Sequence, residues 1–325
     1  MTTTSALRVR ENGGPEVLAV EEIELADPQA GQVQVRVAAA GVNFIDVYQR
    51  EGIYPIPTPF TLGSEGAGEV VAVGPDSALS VGDRVAWASL PASAATLVNL
   101  PADKLVAVPD GLDLKLAAAA MLQGMTAHYL VNSTYAVQPG DDCLVHAAAG
   151  GVGQLLVQLI RAKGGRVIAT AGSAEKLAIA ERLGAAELID YRQVDDLAAA
   201  VREATGGAGV HVAYDGVGKD TFEASLASLR TRGTLALFGA ASGQVPPFDV
   251  QRLNPAGSLF LTRPTLAHYT QDRRELGWRA GEILGAVADG SLEVEIGGTW
   301  PLAEAAAAYR ALEGRATTGK LLLIP

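Results

Sequence analysis

The chain has 325 residues, enough for about two domains of ordinary size, each with its own core. Hydrophobic residues make up 49% and charged residues 19%, which excludes the low-hydropathy, high-charge regime of disordered chains. A formal net charge of -11 repels nucleic acid and anionic lipid, no apolar run reaches the roughly 18 residues that span a bilayer, and the start MTTTSALRVRENGG has no signal-peptide pattern. The expectation is a soluble, cytoplasmic protein with no nucleic acid as main partner and no membrane insertion.

In chain order, the sequence up to about residue 120 consists of short β-type runs, GQVQVRVAAAG, GEVVAVGP, GDRVAWASL and DKLVAVP, broken by Gly31, Gly74-Pro75, Gly82-Asp83 and Pro109-Asp110. That pattern predicts an irregular, strand-rich domain. From about residue 125 strands and helices alternate: DCLVHAA with VGQLLVQLIRAKG, RVIATAG with AEKLAIAERLGA, ELIDY with VDDLAAAVREATGG, GVHVAYDGVG with DTFEASLASLRTRG, then GTLALFGA and SLFLTRP. Strands separated by helices of about 10 to 14 residues predict βαβ units in a doubly wound parallel sheet. The tail carries two helical pieces, RRELGWRAGEILGAVADG and PLAEAAAAYRALEGR, and a last strand KLLLI that could rejoin the first domain. The fold class is therefore α/β, a β-rich domain plus a doubly wound sheet.

The single cysteine, Cys143, excludes an intramolecular disulfide and a thiolate metal cluster; its apolar strand context marks it as a buried, inert thiol. The stretch HAAAGGVGQ, residues 146 to 154, sits at the first strand-to-helix turn of the alternating series, where backbone N–H groups and the helix dipole make an anion site. Gly150 and Gly153 take the second and third places of a G-x-G-x-x-G fingerprint and Ala148 the first. Gly150 lets the backbone approach a pyrophosphate and Gly153 lets helix and strand pack closely; a tight turn without a ligand is the minority reading. About 20 residues further on, where NAD sites place an acid, the strand ends in Ala171-Gly172-Ser173 with Lys176 just inside the next helix. A hydroxyl and a cation suit a 2′-phosphate, so NADPH is the expected cofactor. Ser173 also fits a helix N-cap, and Lys176 also fits a solvated surface lysine.

Six segments carry a resemblance: GVNFIDVYQREGIYP, LGSEGAGEVVAVG, HAAAGGVGQ, YDGVGKDTFEASL, FLTRPTL and GRATTGKLLLIP. Together they are similar to the quinone oxidoreductase branch of the medium-chain dehydrogenase/reductase superfamily, which includes the zeta-crystallins. The resemblance implies a GroES-like catalytic domain over residues 1–124, completed by 266–325, and a Rossmann NADP-binding domain over 125–265, with the active-site cleft at their junction. It implies a homodimer or homotetramer and a small quinone or enone as substrate.

It also implies site residues. Asn43, Tyr48 and Tyr54 are the catalytic candidates, the tyrosines as hydrogen-bond donors or stacking platforms, although both could simply pack a loop. Asn43, Asp46, Tyr129, Gly150, Gly151, Val152, Gly153, Ser173, Lys176, Tyr191, Phe238, Thr262 and Arg315 are the cofactor-binding candidates. Gly216 and Ala240 stand where many relatives have serine and asparagine, which removes two side-chain contacts. In the metal-dependent branch a cysteine stands at Asn43 and a histidine at Ser64, and that branch has a four-cysteine lobe absent here, so no metal is expected. His128, His146, His211 and His268 show no i, i+4 pair and are read as structural. The favoured activity is zinc-free, NADPH-dependent quinone reduction. Reduction of activated double bonds and a non-enzymatic, crystallin-like NADP-binding role remain the alternatives.

Overall fold

The computed structural model describes residues 2–314 and 317–325. They form two compact units, residues 2–125 with 270–314 and 317–325, and residues 126–269.

The first unit begins with β1 (Thr2–Val9) and β2 (Leu18–Leu25), an antiparallel pair. The longest strand follows, β3 (Gln32–Val42), in which Val33, Val35 and Val37 alternate into the core. The helix α1 (Phe44–Arg50) starts directly at its end. Asn43, in extended conformation, is the N-cap, and its N–H donates to the Asp46 carboxylate in the first turn, so one end of the helix is satisfied by a local acid. Then come β4 (Phe60–Thr61), β5 (Glu65–Val73), β6 (Arg84–Ala88), β7 (Leu97–Pro101) and β8 (Val106–Ala107). The chain leaves this unit within α2 (Leu114–Tyr129).

The second unit repeats strand and helix: β9 (Asp142–Val145), α3 (Gly151–Ala162), β10 (Arg166–Ala171), α4 (Ala174–Leu183), β11 (Glu187–Asp190), α5 (Leu197–Ala204), β12 (Val210–Asp215), α6 (Phe222–Ser228), β13 (Leu229–Leu237) and β14 (Phe260–Thr262). All neighbours are parallel, in the order β11-β10-β9-β12-β13-β14. The chain thus winds outward from β9 to β11, then from β12 to β14 on the other side, and the direction reverses between β9 and β12. In open α/β sheets ligands bind outside the strand ends at such a reversal. Leu144, Ile168, Val210, Ala213 and Leu235 fill the core under the helices.

The helical pattern of DTFEASLASLRTRG ends early. α6 stops at Ser228, because Leu229 already pairs with Val210 and starts β13, and a bulge lies between that pair and Val212↔Thr234. Ladder pairing overrides the local helix period here.

The tail returns to the first unit as α7 (Arg273–Ala288), β15 (Ile296–Pro301), α8 (Ala305–Glu313) and β16 (Lys320–Ile324). β16 lies antiparallel to β3 with Leu321 opposite Val42, giving the sheet order β15-β16-β3-β5-β6-β8 with β7 on β3. That register brings Lys320 beside Asn43.

Candidate active site

Where β3 gives way to α1, the first unit buries a polar cluster. Lys320 Nζ donates to Glu65 Oε2 at 2.5 Å and to Asn43 Oδ1 at 2.6 Å. Asn43 Nδ2 donates to Glu65 Oε2 at 3.0 Å and to Gly41 O at 3.3 Å. The other Glu65 oxygen accepts from the Leu122 N–H at 2.6 Å. Three residues after Asn43, Asp46 accepts from Ser64 Oγ at 2.9 Å, from the Asn43 N–H at 2.9 Å and from the Tyr309 hydroxyl at 3.0 Å. Burial pushes the Asp46 carboxyl up to about 6, against the pull of these three donors and of Lys320.

Phe44 and Tyr48 share one face of α1, with ring centroids 6.3 Å apart, and Tyr48 meets Tyr54 edge-on at 5.4 Å. The Tyr54 N–H donates to the Tyr48 carbonyl at 3.0 Å, and Tyr54 is 42% exposed. The three rings form a row that runs from half-buried to exposed. The structure therefore gathers Asn43, Asp46, Tyr48 and Tyr54 in one region, and adds Glu65, Tyr309 and Lys320, which sequence reasoning missed. Glu65 lies inside a motif that was visible; Lys320 is adjacent only through the register of the last strand.

In the second unit the turn after β9 lies at the sheet reversal. Gly150 is the N-cap of α3, and Gly151, Val152 and Gly153 form its first turn. A Cβ on Gly153 would meet Ala148 Cα at 2.8 Å and collide with the Ala147 carbonyl, so only glycine lets the helix start this close to the turn. Ala147 carries φ 49, the left-handed strain that shapes the loop.

His146 fixes this turn from below. Its Nδ1 is 2.9 Å from Thr170 Oγ1 and its Nε2 2.9 Å from Ser225 Oγ. Ser225 spends its proton on Asp215 Oδ2 at 2.7 Å, so Nε2 donates to Ser225 and Nδ1 accepts from Thr170. Burial holds the imidazole below its ordinary range, and Asp215 opposes that only in part. Asp215 also accepts from the Val217 and Gly218 N–H groups and from Thr221 Oγ1. His146 is thus a neutral tie between β9, β10 and α6. Cys143 is buried, and its thiol is pushed far up by burial.

At the C-terminal ends of β10 and β11 lie Ser173, Lys176 and Tyr191, whereas Phe238, Thr262 and Tyr129 come from other elements. Ser173 caps α4, accepting from the Lys176 N–H at 3.3 Å. A Cβ on Gly172 would lie 2.5 Å from Tyr191 Oη and 3.1 Å from Arg192 Nε, so these two side chains arch over the strand end beside Ser173. Arg192 is a second cation that the sequence reading did not single out, although it directly follows ELIDY. Phe238 follows β13, its N–H donates to the Asp215 carbonyl at 2.8 Å, and its ring covers the bare Cα of Gly216. Thr262 ends the edge strand β14. Tyr129 is buried and stacked on Tyr269, with ring centroids at 4.3 Å and planes 5° apart. Arg315 lies outside the described residues.

The turn, the reversal point and the acid-free end of β10 fit a dinucleotide phosphate. The cluster around Glu65 does not fit zinc. Ser64 donates to Asp46, Asn43 is held by Lys320 and Glu65, and an ammonium already neutralises the carboxylate. Among the described residues, no group of three or more His, Cys, Asp or Glu side chains could hold a metal ion.

These features define a two-domain, dinucleotide-dependent oxidoreductase. Residues 29–142 match the family described as the alcohol dehydrogenase GroES-like domain, and residues 151–271 the family described as zinc-binding dehydrogenase. A quinone oxidoreductase of Pseudomonas aeruginosa is 46% identical over 96% of this chain and 97% of its own. A 2-haloacrylate reductase of a Burkholderia species is 43% identical over 98% of both chains. The solved structure of the Escherichia coli quinone oxidoreductase complexed with NADPH superposes with a TM-score of 0.96 at 41% identity, covering 99% of this chain and 100% of that one. The chain belongs to the quinone oxidoreductases of the medium-chain dehydrogenase/reductase superfamily.

Proposed function

We propose that this protein reduces quinones with a hydride taken from NADPH, without a metal. The observation that carries this reading is the end of β10, where no acid stands, Ser173 caps the next helix, and Tyr191 and Arg192 close over Gly172. When bound, the cofactor supplies a hydride from its nicotinamide ring, and the protein's part is to hold, align and stabilise.

The α3 N-terminus, with Gly150, Gly151, Val152 and Gly153, holds the pyrophosphate. Ser173, Lys176, Tyr191 and Arg192 hold the 2′-phosphate. Tyr129, Phe238 and Thr262 line the remainder of the cofactor's path, with Arg315 assigned by resemblance alone. Tyr48 and Tyr54 offer rings for a flat acceptor and hydroxyls for the charge that develops on its oxygen. Asn43 and Asp46 set the start of the helix that carries Tyr48.

The 2-haloacrylate reductase among the relatives favours one second reading, hydride delivery to an activated double bond. NADPH oxidation by the metal-free protein, with 1,4-benzoquinone, 9,10-phenanthrenequinone and 2-chloroacrylate offered separately, separates the two. Turnover of both quinones with none of the acrylate supports the first reading, and turnover of the acrylate alone replaces it with the second.

A homodimer or homotetramer is the proposed assembly. It is supported by the edge strand β14, paired on one side only and carrying Phe260 at 59% exposure. Phe260→Lys lowering the mass measured by light scattering supports that edge as the interface; an unchanged mass removes it. A cytoplasmic location is proposed from the lone buried thiol, which suits a reducing compartment.

A further inference from the structure

Lys320 is an expensive residue to bury. Its side chain is 1% exposed and that of Glu65 0%, and an apolar pair of similar volume would avoid the desolvation of both. The surrounding backbone is also built around the pair. A Cβ on Gly41 would collide with the Glu65 carboxylate and lie 2.8 Å from Lys320 Cε, so β3 gives up a side chain where the two meet. Stability alone does not call for such an arrangement.

The two charges do share a target. Lys320 Nζ donates to Asn43 Oδ1 at 2.6 Å, while Asn43 Nδ2 donates to Glu65 Oε2 at 3.0 Å and to Gly41 O at 3.3 Å. The amide can sit only one way round, because its reversal would set an NH₂ against an ammonium and an oxygen against a carboxylate. Asn43 is the N-cap of α1, and its N–H is bonded to Asp46 at 2.9 Å. Four residues beyond the first position of that helix stands Tyr48. Glu65 in turn accepts from the Leu122 N–H, so the pair joins β16, β5, α1 and α2 at one point.

We infer that Lys320 is a positioning residue, a fixed internal cation that orients the Asn43 amide and thereby sets the start of α1 and the placement of Tyr48. The inference rests on the quinone-reductase reading for its effect on turnover, and on geometry alone for its effect on the helix.

The test uses full-length protein in two forms, Lys320→Met and Glu65→Gln/Lys320→Met. The double variant removes both charges, so no unpaired carboxylate is left buried if the single variant folds poorly. Hydrogen exchange read by mass spectrometry over residues 43–50 should be about tenfold faster in both variants, with the peptides of β10 and α4 unchanged. The kcat for quinone should fall by about a hundredfold, the cost of a misplaced reacting group. The Kd for NADPH should stay within about threefold of wild type. Wild-type protection at 43–50 in the double variant overturns the inference. So does recovery of kcat together with thermal stability in that variant, which would leave Lys320 a counter-ion only; lost protection with unchanged kcat overturns it as well. A wild-type protein inactive on every quinone sinks the functional reading instead, and hydrogen exchange then decides the role of the lysine by itself.

Discussion

In the first unit, the buried carboxylate of Glu65 is satisfied by a lysine 255 residues away, an asparagine 22 away and a backbone N–H 57 away. In the second, Asp215 takes its donors from within 10 residues: two backbone N–H groups of the following turn and the hydroxyls of Thr221 and Ser225. The difference follows from position. Asp215 closes β12 and faces a turn rich in free N–H groups, whereas Glu65 opens β5, whose backbone groups belong to the ladder. A carboxylate that closes a strand ahead of such a turn can be solved locally; one that opens a strand and already sits in the ladder needs a partner brought by the fold.

The same difference sets what could be read from the sequence. YDGVGKDTFEAS carries its own donors, and HAAAGGVGQ carries its own glycines, so the α/β class, the doubly wound sheet and the turn were legible from residue types and spacing. The row Phe44, Tyr48 and Tyr54 is legible as an i, i+4 pair and a loop neighbour. Lys320 was not, because its place depends on Leu321 pairing with Val42 across the length of the chain. The early end of α6 was hidden for a like reason, since the pairing of Leu229 with Val210 is absent from the local period.

The contrast can be broken most sharply by removing one carboxylate from each cluster. Glu65→Leu leaves a buried ammonium unpaired and should cost on the order of 3–5 kcal/mol of stability in urea titration. Asp215→Asn keeps an acceptor for some of its local donors and should cost about 1–3 kcal/mol. Equal losses would mean that the source of the donors does not matter.

The proposed 2′-phosphate site extends the contrast to a partly exposed cluster. Lys176→Ala should lose a charge-assisted bond of about 1.5–3 kcal/mol, weakening NADPH about tenfold to a hundredfold while NADH changes little. Equal loss for both cofactors in fluorescence titration removes the assignment.

Acid should pull the two clusters in opposite directions. Asp46 has a folded value raised from 3.8 to about 6, so its contribution is fully present below about 3.8 and lost as pH rises through about 6. His146 is depressed from 6.5, so its contribution is present above that value and lost as pH falls through the folded one. Between those limits Asp46→Asn should make acid more damaging than it is to wild type, and His146→Gln should make it less so, in urea titrations run across the range. Identical pH slopes for both variants and wild type would contradict the opposed signs. The smallest effect belongs to the hydroxyls of the aromatic row: Tyr54→Phe and Tyr48→Phe should each lower quinone kcat about tenfold with the ring stacking kept, and unchanged turnover leaves the rings as packing alone.

The most direct test of the account is the rate of NADPH oxidation with 9,10-phenanthrenequinone, measured anaerobically on protein dialysed against a chelator, with NADH in parallel. The account predicts full activity without metal and a clear preference for NADPH. Activity that appears only when zinc is restored, or that favours NADH, would contradict it.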